Sequence, residues 1–186
     1  ADQNNNKLVY GRAFARASVG DRKLEGWAGS AFAFPEDRLT LLSDPNKGPL
    51  WPYLRDVDVY RCPRTPRGHA LTYTAVSSVN ADPAEGTDAS LLDTRSRRVS
   101  RTVLFLTRLT DIDAPGAAER AVFLDKGWTD GLFQVHYRYP QWRAVAPPPV
   151  HHANGMTLSM ADGHVEWWKW TGRETFRMPR VQIPSR

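Results

Sequence analysis

The stretch that decides the fold is MTLSMADGHVEWWKW, residues 156–170. Two runs of alternating apolar and polar residues flank the pair Asp162-Gly163. An Asp-Gly pair between such runs is the strongest short signal of a β-hairpin with a two-residue type I′ turn. The register that follows from this turn places four apolar residues on the face that packs on the core, namely Leu158, Met160, Val165 and Trp167.

The chain outside the hairpin predicts more short strands and little helix. Four segments read as strands because they are apolar, β-branched or alternating, namely residues 71–79, 102–109, 121–124 and 132–139. Residues 49–55 read as a short helix with Pro49 at its first position. Residues 10–46 read as loops with one or two short strands. The sequence therefore predicts one α+β domain over residues 1–186, built on an antiparallel sheet.

A small sheet must cover its apolar face, and no long amphipathic helix is visible in this sequence to do so. We therefore expect the cover to come from a segment before Ala1 or from a partner. The start of the chain has no initiator Met and reads as a processed end, so a membrane segment could precede it. Within residues 1–186, no apolar run approaches the ~20 residues needed to span a bilayer.

The charge pattern does not favour a nucleic-acid partner. The net charge is +5, but 20 acidic residues nearly match the 25 basic ones. The densest basic stretch, residues 95–101, is not accompanied by a folded nucleic-acid-binding motif. The sequence therefore predicts that nucleic acid is not bound.

Histidines around the hairpin are candidate metal ligands. Imidazole and carboxylate groups suit zinc, which makes His152, Asp162 and His164 the candidates. His151 is adjacent to His152, so in an extended chain the two side chains point in opposite directions. Asp162 also has a structural role in the turn. The sequence favours the reading without a metal or other cofactor, and it leaves a metal-dependent hydrolase at these residues as an alternative.

Two further chemistries stay open as alternatives. Cys62 is the only cysteine, so an intramolecular disulfide is excluded. Neighbouring arginines favour its thiolate, which would suit a catalytic nucleophile. Trp168 and Trp170 share the face opposite the predicted core face, and they could stack on sugars as in a carbohydrate-binding module. Nucleophile-elbow, phosphate-loop and dinucleotide motifs are absent from the sequence, so we predict no catalytic residues.

The spacing of the C-terminal motif resembles that of a known family. His152, nine residues and Asp162-Gly163-His164, with Asn154-Gly155 after the first histidine, resemble the prepilin-type H-X9-DG signature of pseudopilin-like proteins. Other parts resemble that family in the same order. They are the Asn-rich residues 1–8, the helix and Cys-Pro element at 48–54 and 59–63, the strand at 71–73 and the strand start at 99–104.

The resemblance implies a pilin-like sheet head behind a leader and a long hydrophobic N-terminal helix. It implies a structural subunit of a type II secretion or type IV pilus-like filament, without catalytic residues. Its partners would be other pilin or pseudopilin subunits, secretion-machine proteins and the bacterial inner membrane, with the head in the periplasm or on a surface filament. The motif residues at 152, 154, 155 and 162–164 would then be structural. The acidic calcium loop of some pseudopilins is not recognisable here.

Overall fold

The computed structural model describes residues 6–14, 16–19, 22–33, 38–65, 69–80, 98–99, 102–127, 133, 149–150, 152–173 and 175. These residues form eight short strands and two short α-helices. The strands are β1 (Arg16–Val19), β2 (Arg22–Glu25), β3 (Tyr73–Ala75), β4 (Arg98–Val99), β5 (Thr102–Val103), β6 (Ala121–Asp125), β7 (Gly155–Met160) and β8 (Val165–Lys169). The helices are α1 (Arg38–Ser43) and α2 (Trp51–Leu54).

The centre of the fold is a four-stranded antiparallel sheet in the order β3-β6-β7-β8. Strands β1 and β2 form a separate antiparallel pair, as do β4 and β5. The described residues therefore form a small α+β fold with little helix, as the sequence predicts. No helix among the described residues is long and apolar enough to cross a membrane.

Several predicted elements differ from the observed ones in extent. The predicted strand at 71–79 is regular only over β3, and the helix at 49–55 is limited to α2, whose second residue is Pro52. Helix α1 was not predicted. The prediction for 121–124 is confirmed by β6, whereas the prediction for 132–139 lies outside the described residues except for Phe133.

The predicted strand at 102–109 is wrong beyond its first two residues. The carboxylate of Asp111 accepts hydrogen bonds from the N–H groups of Thr107 and Arg108, at 2.8 and 2.9 Å. These bonds close a 3₁₀ turn over Leu109–Asp111. Local side-chain acceptors compete with a strand ladder for backbone donors, and here the turn prevails.

The hairpin is where the sequence predicts it, but the predicted turn type and strand register are wrong. Gly163 donates its N–H to the carbonyl of Met160, and Met160 donates to the carbonyl of His164, so the loop has three residues. Within this loop the positive φ falls on Gly163, at 95°. This geometry is a type I turn closed by a glycine bulge, which shifts the pairing by one residue.

The shift moves half of the predicted core face into solvent. Leu158 pairs with Glu166, and Trp167 pairs with Thr157. Leu158 is buried, whereas Trp167 lies on the other face of the sheet with 51% of its surface exposed. The same shift leaves Val165 63% exposed, opposite Ser159.

Gly163→Ala should therefore lower the free energy of unfolding by about 1–2 kcal/mol, because alanine is strained at positive φ. A Cβ at Gly163 would have no atom within 4 Å, so the cost is purely conformational. Gly116 offers a matched control, since its φ is −65° and its Cβ would also have nothing within 4 Å. Gly116→Ala should be neutral or slightly stabilising. Urea unfolding of both variants tests this, and equal effects would contradict it.

Both faces of the sheet receive cover from the chain itself. On one face, Phe123 meets Trp27 edge to face at 5.0 Å, and Trp27 and Phe32 stack on Tyr60. On the other face, a cluster around Leu124 and Leu158 packs against Phe133 and Trp170. We expected a segment before Ala1 or a partner to cover the sheet, and this expectation is wrong for β3, β6 and β7. On the face that carries Phe123, the β8 end of the sheet stays exposed.

Tyr60→Phe should leave stability unchanged or raise it by up to about 1 kcal/mol. Tyr60 is 1% exposed, and within the described part of the chain its hydroxyl has no hydrogen-bond partner. Burial also raises the pKa of Tyr60 to about 12. Removing a buried, unpaired hydroxyl while keeping the stacked ring removes a desolvation cost. Thermal and urea unfolding measure the effect, and a loss above 1 kcal/mol would argue for a partner of this hydroxyl.

Candidate functional site

A tight turn just before β7 positions His152. The N–H and the carbonyl of His152 both bond to Gly155, at 3.4 and 3.0 Å. The central residues Ala153 and Asn154 have φ values of 52° and 63°. Left-handed conformations at both central positions are typical of a type I′ turn. The turn type predicted for Asp162-Gly163 thus occurs here instead, and it fixes the main chain of His152.

Trp167 locks this turn from the neighbouring strand. Its indole Nε1 donates to the carbonyl of His152 at 2.9 Å. The indole lies close over Gly155, where a Cβ would come within 2.9 Å of Nε1 and would overlap the carbonyl oxygen of Trp168. This packing explains the Asn154-Gly155 pair, because Asn tolerates a left-handed conformation and only glycine fits beneath the indole.

The side chain of His152 meets two residues from distant parts of the chain. Its Nε2 lies 2.7 Å from Oδ2 of Asp125 and 4.0 Å from Sγ of Cys62. One ligand atom from each of the three residues lies within 4.8 Å of the other two. Asp125 ends β6, Cys62 follows the 3₁₀ turn Val57–Tyr60, and His152 precedes β7. We refer to these three residues as the Cys62–Asp125–His152 centre.

Backbone contacts hold the centre in place. The N–H of Gly127 donates to Oδ1 of Asp125 at 2.9 Å, which leaves Oδ2 for His152. The N–H of Cys62 donates to the hydroxyl of Thr72 at 2.7 Å, and Thr72 is fully buried. The carbonyl of Thr72 in turn accepts from the N–H of Lys126 at 3.1 Å. The three segments are therefore joined by hydrogen bonds around the centre as well as within it.

The centre lies in the interior. Cys62 is 8% and Asp125 3% exposed, and the His152 side chain, at 22%, is the most exposed of the three. Burial raises the pKa of the neighbouring Tyr73, and negative charge on Asp125 and Cys62 raises it further. Tyr73 therefore stays a neutral phenol beside the centre. Burying a carboxylate costs free energy unless the group has hydrogen-bond or charge partners, and the partners of Asp125 are Gly127 and His152.

The geometry does not favour a cysteine nucleophile. A Cys-His-Asp relay needs one imidazole nitrogen for the thiol and the other for the carboxylate. In this centre the same atom, Nε2 of His152, faces both Asp125 and Cys62. The ring therefore cannot take a proton from Cys62 while Asp125 orients its far side.

A second histidine cluster lies on the surface at the hairpin tip. Nδ1 of His164 is 2.5 Å from Asp162, and Nε2 is 3.0 Å from Glu166. The five steps from Gly155 to Met160 along β7 separate this cluster from the turn at His152 by about 17 Å. The structure therefore brings Asp162 and His164 together but keeps both away from His152. His151 lies outside the described residues.

Charges at the hairpin tip favour one pH range. The hydrogen bond to Glu166, followed by that to Asp162, raises the pKa of His164. The stability that protonated His164 contributes is therefore lost as the pH rises through this raised pKa. The pKa of Asp162 is lowered, first by the backbone N–H of His164, and that of Glu166 first by the His164 ring. Their contributions are lost as the pH falls. The cluster is therefore fully formed between about pH 4.5 and about pH 6.5.

Glu166→Gln should lower the pKa of His164 towards that of a solvated histidine, because Glu166 makes the largest contribution to the shift. An NMR titration of the imidazole protons in both proteins measures this directly. Asp162→Asn should also lower the pKa of His164, because Asp162 raises it by a hydrogen bond and by its charge. A pKa of His164 that is unchanged in Glu166→Gln would contradict the assignment.

The tryptophans do not form the sugar platform considered for Trp168 and Trp170. Trp168 is 46% exposed, with its indole bonded to Glu166. Trp170 is half-buried, donates to the carbonyl of Pro149 at 2.6 Å and packs on the core cluster around Leu158. Trp167 is exposed on the opposite face of the sheet. The hairpin thus lacks a pair of exposed indoles side by side on one face.

Sequence reasoning missed Asp125 and did not connect Cys62 with His152. His152 lies 27 positions after Asp125 and 90 positions after Cys62 in the sequence. The available local signal was weak, since Asp125 only ends a short apolar strand and precedes Lys126-Gly127. Comparison with family models, curated proteins and solved structures found no match to this chain.

Proposed function

We propose that this chain is the globular head of a pseudopilin-like filament subunit, with a role in assembly and not in catalysis. The observation that carries the proposal is that the motifs behind the resemblance converge in space. Cys62 comes from the Cys-Pro element, Thr72 and Tyr73 from the strand motif, and His152 from the H-X9-DG motif. Cys62 and His152 form the centre with Asp125, Thr72 holds the N–H of Cys62, and Tyr73 pairs with Asp125 across β3 and β6.

The form of this centre supports a structural role for the motifs. Its residues are held by main-chain bonds on three segments, and two of them are nearly inaccessible. Such an arrangement fixes the C-terminal hairpin to the rest of the head. A filament subunit needs a rigid head of this kind, because each copy must present the same surface to its neighbours.

Strand β8 is the surface that we assign to contacts between heads. It is an edge strand of the sheet, and it carries Val165, Trp167 and Trp168, which are 63, 51 and 46% exposed. Exposed apolar edge strands invite pairing with another chain, and soluble monomers usually protect them. In this proposal the neighbour is a second copy, and a hydrophobic helix before Ala1 holds both copies at the inner membrane of the cell envelope.

Cross-linking in cells tests the proposal. Val165→Cys places a thiol on β8, and Val59→Cys places one on the 3₁₀ turn Val57–Tyr60, where Val59 is 47% exposed. The only native cysteine, Cys62, is buried and should react little. Because each variant then carries one reactive thiol, a bifunctional maleimide can join two copies at most. We expect a cross-linked dimer for Val165→Cys in cells that express the variant from its full-length gene, and much less dimer for Val59→Cys.

The codons before Ala1 provide an independent test. The proposal expects a prepilin-like leader followed by about 20 apolar residues. Equal cross-linking of the two cysteine variants, or an upstream sequence without such a helix, would overturn the filament role.

A further inference from the structure

The Cys62–Asp125–His152 centre combines a thiol, a carboxylate and an imidazole, which are the three side-chain groups that zinc uses most. We propose that these residues bind one Zn²⁺ ion, with a water molecule in the fourth position. The sequence favoured no metal, and it offered His152, Asp162 and His164 as the only candidate ligands. The structure keeps Asp162 and His164 together but separates both from His152, which it pairs with different residues. This inference does not depend on the proposed filament role.

The distances in the centre are close to those of a zinc site. Zinc lies about 2.0–2.2 Å from nitrogen and oxygen ligands and about 2.3 Å from sulfur. Tetrahedral angles then place nitrogen and oxygen about 3.4 Å apart, and sulfur and nitrogen about 3.6 Å apart. The observed separations are 2.7 Å from Nε2 to Oδ2 and 4.0 Å from Nε2 to Sγ. The ligand atoms of Cys62 and Asp125 lie within 4.8 Å of each other. Side-chain rotations that move the ligand atoms by about 1 Å convert this arrangement into a tetrahedral one.

Hydrogen bonds from neighbouring residues fix the three segments that carry the ligands. Ligands of metals are themselves oriented by hydrogen bonds from outside the coordination shell. Here Gly127 holds Oδ1 of Asp125, Thr72 holds the backbone of Cys62, and Trp167 holds the backbone of His152. The partial exposure of the His152 side chain gives the ion a route of access.

The ligand set selects zinc over calcium. Calcium takes six to eight oxygen ligands, and a site with one carboxylate, one thiolate and one imidazole cannot supply them. Thiolate and imidazole suit zinc and related transition metals. The bound ion would link three segments of the head, and it would stabilise the folded state by mass action.

Cobalt and zinc titrations test the site. The protein is stripped with EDTA, which is then removed, and Co²⁺ is added. We expect one equivalent to bind with a thiolate-to-cobalt charge-transfer band and visible bands of tetrahedral Co²⁺. Cys62 is the only cysteine, so such a band can arise only from this centre. Zn²⁺ should abolish the spectrum, and free Zn²⁺ at 100-fold above its Kd should raise the Tm by about 5–10 °C.

Variants separate this centre from the surface cluster. Cys62→Ser, Asp125→Asn and His152→Gln should each weaken zinc binding by more than about 100-fold. His164→Gln removes the surface histidine and should leave zinc binding unchanged. The proposal is overturned by a cobalt complex without the charge-transfer band, or by zinc stabilisation that survives Cys62→Ser or disappears in His164→Gln. The cobalt spectrum uses the unaltered protein, so it decides the matter even if a variant fails to fold.

Discussion

Replacing Asp125 with alanine should lower the free energy of unfolding by about 3–5 kcal/mol in metal-free buffer. The carboxylate accepts from the N–H of Gly127 and faces Nε2 of His152, and Asp125 is 3% exposed. Its removal leaves the buried N–H of Gly127 and the partly buried ring of His152 without their partner, and such losses cost about 1–3 kcal/mol each. The vacated space adds a smaller penalty. Urea unfolding with EDTA present isolates this structural effect from any effect of metal.

Two companion variants sharpen the measurement. Asp125→Asn keeps an acceptor for Gly127 but presents an amide to His152, so its cost should be intermediate, about 1–2 kcal/mol. Glu119→Ala removes an exposed carboxylate and should change stability by less than about 0.5 kcal/mol. If Asp125→Ala costs no more than Glu119→Ala, the centre does not hold the head together.

The second large effect is expected for Gly155→Ala, at about 3 kcal/mol. The added Cβ would overlap the backbone carbonyl of Trp168, which cannot rotate away, and would press on the indole of Trp167. Overpacking of this kind usually costs about 1–3 kcal/mol, and here β7 and β8 must separate locally. The loss should exceed that of Gly163→Ala, where the new methyl group meets open space.

A double variant identifies which contact matters. Gly155→Ala combined with Trp167→Ala removes the indole but leaves the overlap with the carbonyl of Trp168. The double variant should therefore be less stable than Trp167→Ala by nearly as much as Gly155→Ala is less stable than the unaltered protein. If the double variant is as stable as Trp167→Ala in denaturant unfolding, then the indole, and not the β8 backbone, requires glycine at this position.

The sequence allowed the hairpin to be located but not its register. Asp162-Gly163 fits two turns, a two-residue loop and a three-residue loop with a bulge, and both present the same alternating strands. The difference lies in which residue adopts positive φ, and Gly163 alone satisfies the longer loop. Choosing the wrong turn placed Trp167 and Val165 in the core. Alternation by itself could not correct this choice, because both faces of β8 carry large apolar residues.

The Cys62–Asp125–His152 centre could not be predicted from the sequence, and the reason is different. Cys62, Asp125 and His152 lie in three segments, and their proximity depends on the strand order β3-β6-β7. Local patterns specify turns and strands, whereas the order of strands in a sheet is decided by packing between distant segments. The histidines that are close in sequence, His152 and His164, lie at opposite ends of β7.

The pairing of Cys62 with His152 also constrains the order of events during biosynthesis. The two residues are 90 positions apart, and His152 is synthesised after the segments that carry Cys62 and Asp125. A nascent chain that ends before His152 lacks one residue of the centre and both strands of the C-terminal hairpin. Contacts of such long sequence separation slow folding. We therefore expect a chain cut before His152 to be cleaved by proteases faster than one that includes β7 and β8, and limited proteolysis of the two forms measures this.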